Sequence, residues 1–393
     1  MARKLDDDPS HDRSRDPTVS HARDGLLGRR TYLKTGVATA VAGSGFLGVA
    51  SGLSGASNNP VQMTTLNGDD RYRVVRLDEN EQRQYEISDG ENFEHVLIDQ
   101  SAEGAMFSLA VAEGANDWSI QNVGWKGRAP SEDRDFTFLI HVRGHGQIEN
   151  VFIDQRNHDG DTEGSDVGGI WTYSDSHHGH VDCRHNFIAG CGNNGCYVSG
   201  DGWDHNEATG TVSHFRSYHR DNTVSNFRPG RPGSTIRECV SVAHDPDGRR
   251  GSYPTSDGKT CRAIWAWHNP DITMEDCAIW HDPTDYAVAP PFWATHRSGD
   301  KRSDGEYCEL SVINCDINAS WTEAGNDLIG HGGTDRRRVE FEGLGTSPTV
   351  AVLGDGVPLT AEMAAAGGRE LPPDLGTAPS GGHGRSRRGG ILA

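Results

Sequence analysis

From about residue 93 the chain alternates short β-branched and aromatic runs with Gly, Asn and Asp, and little of it carries a helical period. Such runs predict strands joined by tight turns, because alternation at period two sends successive side chains to opposite faces. The runs also recur. Val96-Leu97-Ile98-Asp99-Gln100 returns as Val151-Phe152-Ile153-Asp154-Gln155, and a second register is carried by cysteine. Ile236-Arg237-Glu238-Cys239, Met274-Glu275-Asp276-Cys277 and Val312-Ile313-Asn314-Cys315 place cysteine at two successive intervals of 38 residues, and Val181-Asp182-Cys183 reads as an earlier copy.

A third register assigns side-chain direction. With Leu139, Gly169, Gly195, Thr223 and Ala263 as equivalent strand starts, the spacings are 30, 26, 28 and 40 residues. Residues one and three further on are then mostly small or apolar and face inward: Ile140 and Val142, Ile170 and Thr172, Cys196 and Val198, Val224 and Asn226, Ile264 and Ala266. Residues two and four further on face outward, since strand side chains alternate. A unit of this length cannot bury its own apolar face, so neighbouring units must stack. Strand-rich units stack as a solenoid. A propeller needs longer, regular four-stranded blades, which the irregular spacing does not match.

The Ile-x-(Asn/Glu/Asp)-Cys runs and the Gly-Ile or Gly-Cys strand starts resemble the pectate-lyase-like right-handed parallel β-helix superfamily over roughly residues 85–330. The resemblance implies an all-β fold, a right-handed parallel β-helix (β-solenoid) with an N-terminal cap. The chain then divides into a leader and signal at 1–57, a cap region at 58–92, the β-helix at 93–341, and a Gly-, Pro- and Ala-rich C-terminal extension and disordered tail at 342–393.

Composition narrows the setting. The net charge of −20 disfavours nucleic acid and anionic membrane as partners, because like charge repels both. Only five of the 37 basic residues are lysine, against 57 acids. An acid-rich, lysine-poor surface suits concentrated salt, where screening removes its self-repulsion, and it points to a halophile. The run Arg29-Arg30-Thr31-Tyr32-Leu33-Lys34, followed by a weakly apolar stretch from Thr35 to about Ala56, resembles a twin-arginine export signal of haloarchaeal type. It predicts an extracellular or cell-surface protein without a transmembrane span after signal removal. The first cysteine is Cys183, so a lipid-modified cysteine at the signal's end is excluded.

Cysteine and histidine add less. Cys183, Cys239, Cys277 and Cys315 read as stacked core residues, while Cys191 and Cys196 flank a Gly-Asn-Asn-Gly turn and are the best disulfide candidates. His177, His178, His180 and His185 cluster without a zinc-site spacing. His244-Asp245-Pro246 and His281-Asp282-Pro283 read as repeat-related, solvated turns.

The outward face carries the candidate chemistry. Its first column is His141, Trp171, Tyr197, Ser225 and Trp265, and its second is Arg143, Tyr173, Ser199, Phe227 and Trp267. Rings in a continuous strip suit the flat faces of sugars. Loops folded over the strip would instead bury it as a satellite core. Beyond the strand ends, Asp175 and Asp201 each stand six residues after their strand-start glycine, with Asp204, His205 and Arg228 in the loops beyond. Two carboxylates on neighbouring coils form an acid–base pair by mutual repulsion, or share a cation such as Ca2+. The resemblance implies a lyase or a glycoside hydrolase acting on a polysaccharide or cell-surface glycan. A non-catalytic structural or adhesion protein of the cell surface satisfies the same sequence features.

Overall fold

The computed structural model describes residues 62–66, 70–130, 136–156, 167–172, 176–198, 210–229, 233–244, 261–267, 271–283, 288–295, 309–330 and 339–375. Among these, strands dominate and helices are short, the longest being the five-residue Ala319–Glu323 and Ala361–Ala365. No helix among the described residues is long and apolar enough to cross a membrane.

The described strands form two sheets. One has eight strands, in the order Gln82–Ile87, Met106–Val111, Phe138–Val142, Gly168–Thr172, Cys196–Val198, Ser225–Pro229, Arg262–Trp267 and Phe292–Thr295, and every neighbouring pair is parallel. Each strand thus pairs with its counterpart one repeat away rather than with its chain neighbour. The sixteen-stranded sheet does the same, apart from Gln62–Leu66, which pairs antiparallel with Asp70–Arg76. Parallel pairing already includes Asp70–Arg76 and Gln82–Ile87, inside the stretch read from sequence as a cap.

The sixteen-stranded sheet bends at one position per repeat. The long strands Asn92–Asp99, Trp118–Lys126 and Gly146–Asp154 bend within themselves. Further along, the first half of Gly146–Asp154 pairs with His180–Arg184 and its second half with Phe187–Ala189. The bend residues are His95, Asn122, Asn150, His185, Arg216, Glu238, Asp276 and Asn314, with φ between 48° and 56°. That left-handed backbone costs a non-glycine residue about 1–2 kcal/mol, least for Asn and Asp. Side-chain bonding offsets part of it: Asn150 Nδ2 donates to Asn122 Oδ1 at 2.8 Å, and Asn122 Nδ2 lies 3.3 Å from His95 Nε2. The acid or asparagine before each repeating cysteine is therefore a corner residue, and the cysteine after it turns into the core.

The repeat Val96–Gln100 stands two units from Val151–Gln155, with Val123 in register between them. Cys239, Cys277 and Cys315 stack as expected, the Cys239 amide meeting Cys277 Sγ at 3.4 Å. Three sequence expectations need correction. Cys183 is buried but pairs with Ile148 and His214, whose column continues to Ile236 and not to Cys239. Cys191 and Cys196 are free buried thiols, because both side chains are taken into the core on either side of the turn. His281 is no solvated turn residue: it ends a strand and is 1% exposed, its ring against Trp321, while His244 Nδ1 lies 3.1 Å from Asp282 Oδ2.

The outer face of the second half of the large sheet is covered by the chain's own C-terminal segment. Phe152, Phe187 and Tyr218 stack at 4.9 and 5.1 Å, and Val350, Leu353, Val357, Ala361 and Ala364 join their cluster. Gly124 leaves room for this segment, since a Cβ there would stand 2.0 Å from the Ala361 carbonyl oxygen.

Candidate functional site

The candidate site lies on the outer face of the eight-stranded sheet, and its register decides which side chains reach it. Ile140, Ile170, Cys196, Phe227, Ile264 and Phe292 form one inward column, all 0% exposed. Counting back from Phe227, the residue equivalent to Gly195 is Asn226, not Thr223. This three-residue displacement overturns the assignment of Phe227 as an exposed sugar-stacking ring. An odd displacement exchanges the faces of a strand, so Phe227 enters the core and Arg228 emerges. Four strand starts, Leu139, Gly169, Gly195 and Ala263, keep the register expected for them.

The outward column reads His141, Trp171, Tyr197, Arg228, Trp265 and Trp293. Arg228 lies on the strand itself rather than in a loop. Its guanidinium carbon sits 4.1 Å from the Tyr197 ring centre and 4.4 Å from that of Trp265. Arg262 continues the alternation, 4.6 Å from Trp265 and 4.2 Å from Trp293. Rings and guanidinium groups therefore alternate from Tyr197 to Trp293. Each such contact contributes about 0.5–2 kcal/mol, more as water is excluded. Arg262 Nη1 also donates to the Val224 carbonyl at 2.7 Å, which holds its plane in place.

At the other end of the column the rings pack on one another. Phe138 stacks on Trp171 at 5.9 Å and meets Tyr197 edge-on at 6.0 Å, and His141 meets Trp171 edge-on at 5.3 Å. His141 Nε2 lies 3.0 Å from the Phe138 carbonyl, and burial pushes its pKa down to about 4, so it is neutral at pH 7. Arg143 is half-buried, its Nε donating to the Val111 carbonyl at 2.9 Å and its Nη1 to Ser176 Oγ at 3.2 Å.

Exposure along the ladder is uneven. Trp171, Tyr197 and Trp265 are half-buried, whereas His141 and Arg228 are 8% and 9% exposed, Trp293 is 6% exposed and Arg262 is 1% exposed. Trp267 ends the strand Arg262–Trp267 and is placed by its backbone alone. Tyr173, Asp175, Asp201, Asp204 and His205 lie outside the described residues. Trp293 and Arg262 were missed by sequence reasoning; the Phe-Trp pair at 292–293 repeats the inward–outward step of Ile264-Trp265 and was the available signal. Among the described residues no three His, Cys, Asp or Glu side chains are grouped to hold a metal ion.

The arrangement offers the half-buried ring faces of Trp171, Tyr197 and Trp265 in one line, backed by buried guanidinium groups, which suits stacking on an extended ligand. No family model, curated protein or solved structure matches the chain.

Proposed function

We propose that this chain is an exported right-handed parallel β-helix that binds a polysaccharide along the outward column at its half-buried rings, Trp171, Tyr197 and Trp265. The observation that carries the reading is the outward column of rings and guanidinium groups, continuous over successive repeats of one sheet. Strands about 4.8 Å apart set the rings of Trp171 and Tyr197 on neighbouring strands and that of Trp265 two strands further on, and an extended glycan meets several at once. Parallel pairing between successive repeats and one left-handed corner per repeat support the helical winding. The arginine pair and apolar stretch near the N-terminus support export, and the acidic, lysine-poor composition supports a salt-rich setting.

Cleavage, of the lyase or glycoside hydrolase type, rests on Asp175 and Asp201 as the reactive pair, with Asp204 and His205 following Asp201 in the sequence and Ca2+ as the cation the two aspartates would share. The test is a panel of acidic and neutral polysaccharides incubated with the full chain, read for binding, new reducing ends and unsaturated products. Binding with products establishes an enzyme, and no binding to any member overturns the glycan reading. A second reading, a non-catalytic structural or adhesion protein of the cell surface, is favoured by the burial of His141, Arg228 and Trp293 within the ladder. Binding without products selects it.

A further inference from the structure

The interior is not apolar throughout. One cluster of buried apolar side chains reaches Cys196, Val198 and Val212, and a second begins at Phe227 and Ile236. Between them lie His214, His219, Asn222, Asn226 and Ser241, each at most 2% exposed. Register puts the histidines and Ser241 inside: His214 stands between Cys183 and Ile236 in one inward column, and His219 between Ile188 and Ser241 in the next.

The amides of this layer are satisfied. Asn222 Nδ2 donates to Asn226 Oδ1 at 2.8 Å, and Asn226 Nδ2 donates to Ser241 Oγ at 2.7 Å. The imidazoles are not. His219 Nδ1 lies 3.0 Å from the Asn226 carbonyl, but its Nε2 and both nitrogens of His214 are buried without a hydrogen-bond partner. The two rings meet edge-on at 5.7 Å, and both pack on Phe227, at 5.0 and 4.1 Å.

We propose that this layer is an acid-labile joint, at which protonation of His214 and His219 parts the stack while the apolar cluster on each side stays packed. Two imidazolium ions at this separation would repel inside a core that offers little to solvate them. The surrounding elements supply little countercharge. Cys183 stands beside His214 and Cys196 beside Phe227, and burial pushes both thiols up, so both are neutral. Ile236, Ile188, Ser241 and Asn226 carry no charge. Asp182 attracts a proton to His214 from the next strand position, on the opposite face of its strand, and His219 faces His214 itself.

The sign follows from linkage. Burial pushes the His214 pKa down to about 3 and holds that of His219 well below the ordinary value. The opened state therefore binds more protons than the closed one. The stabilisation is complete above about pH 6.5 and is lost as pH falls below it, each histidine favouring opening about tenfold per pH unit.

Hydrogen exchange of the full chain, corrected for intrinsic rates, tests this between pH 7.5 and 4.5. Amides of Thr211–Phe215, Tyr218–Arg220 and Ser225–Pro229 should lose protection at a higher pH than those of Trp118–Lys126 and Ile272–Glu275. The double variant His214→Leu, His219→Phe should open at a pH lower by about one unit or more. Should that variant not fold, carbon-13 histidine spectra of the unaltered chain decide, with both rings staying neutral until the joint opens. Simultaneous loss of protection in every strand, a variant opening at the original pH, or either ring titrating near pH 6 in the closed state would overturn the proposal.

Discussion

Arg228 and Phe227 are adjacent and have opposite fates. Phe227 is sealed in the core and Arg228 lies between two rings on the outer face. Phe227→Ala should destabilise the chain by about 3–5 kcal/mol in denaturant titration, the range for emptying a buried aromatic site. A cost under about 1 kcal/mol would return the ring to the surface. Trp171→Ala should weaken glycan binding through the lost stacking face while leaving the fold intact, since Trp171 is half-buried. On the reading that Asp175 and Asp201 are reactive, Asp201→Asn should lower turnover by orders of magnitude with little change in binding. A variant that loses binding and turnover together would remove Asp201 from the chemical step. Alternation alone made the ring column legible in four repeats. It failed at Thr223 because Asn226 rather than a glycine stands at this strand start, so that nothing local marks where the strand begins and Val224 reads as its first inward residue; the turn itself is as long as the one before Cys196.

The element least visible in sequence is the C-terminal segment. Read by composition, residues 342–393 are an extension ending in a tail; in the structure the part from Val350 to Ala365 covers a stacked aromatic face of the large sheet. It is tied down by polar contacts to the corner residues. His95 Nδ1 lies 3.0 Å from the Ala365 carbonyl, Asn150 Nδ2 donates to the Ala364 carbonyl at 3.3 Å, and Arg369 Nε donates to Asn150 Oδ1 at 3.2 Å. The close approach at Gly124 makes the docking testable. Gly124→Ala should cost about 1–3 kcal/mol by overpacking, and limited proteolysis should cut between residues 350 and 375 before the strands. Unchanged cleavage would mean that the segment is held elsewhere. Sequence does not reveal this contact because its partners are more than 100 residues apart and neither side shows a helical or strand period long enough to mark a docking face.

At the scale of the molecule, charge and burial act in opposite senses on stability. The formal charge of −20 repels itself in dilute solution, so the thermal midpoint should rise from low to multimolar NaCl. A falling midpoint would remove the halophile reading. The buried histidines set the pH response. His141, with its pKa down to about 4, and His281, down to about 3, add to His214 and His219. Their folded values lie below the unfolded one, so this stabilisation holds above about pH 6.5 and fades as pH falls toward 3.

By itself the sequence determined the strand-rich class, the parallel repeat in the cysteine register, and most of the ring column, because these follow from period-two alternation and from residue types that recur at fixed intervals. Tertiary structure decided the rest. It settled the register of Ser225–Pro229, the corner role of the residues before each cysteine, the free thiols of Cys191 and Cys196, the burial of His214, His219 and His281, and the cover over Gly124. Each depends on which residues of distant repeats stand side by side, and that is set by turn length and packing between strands rather than by any local preference of the chain.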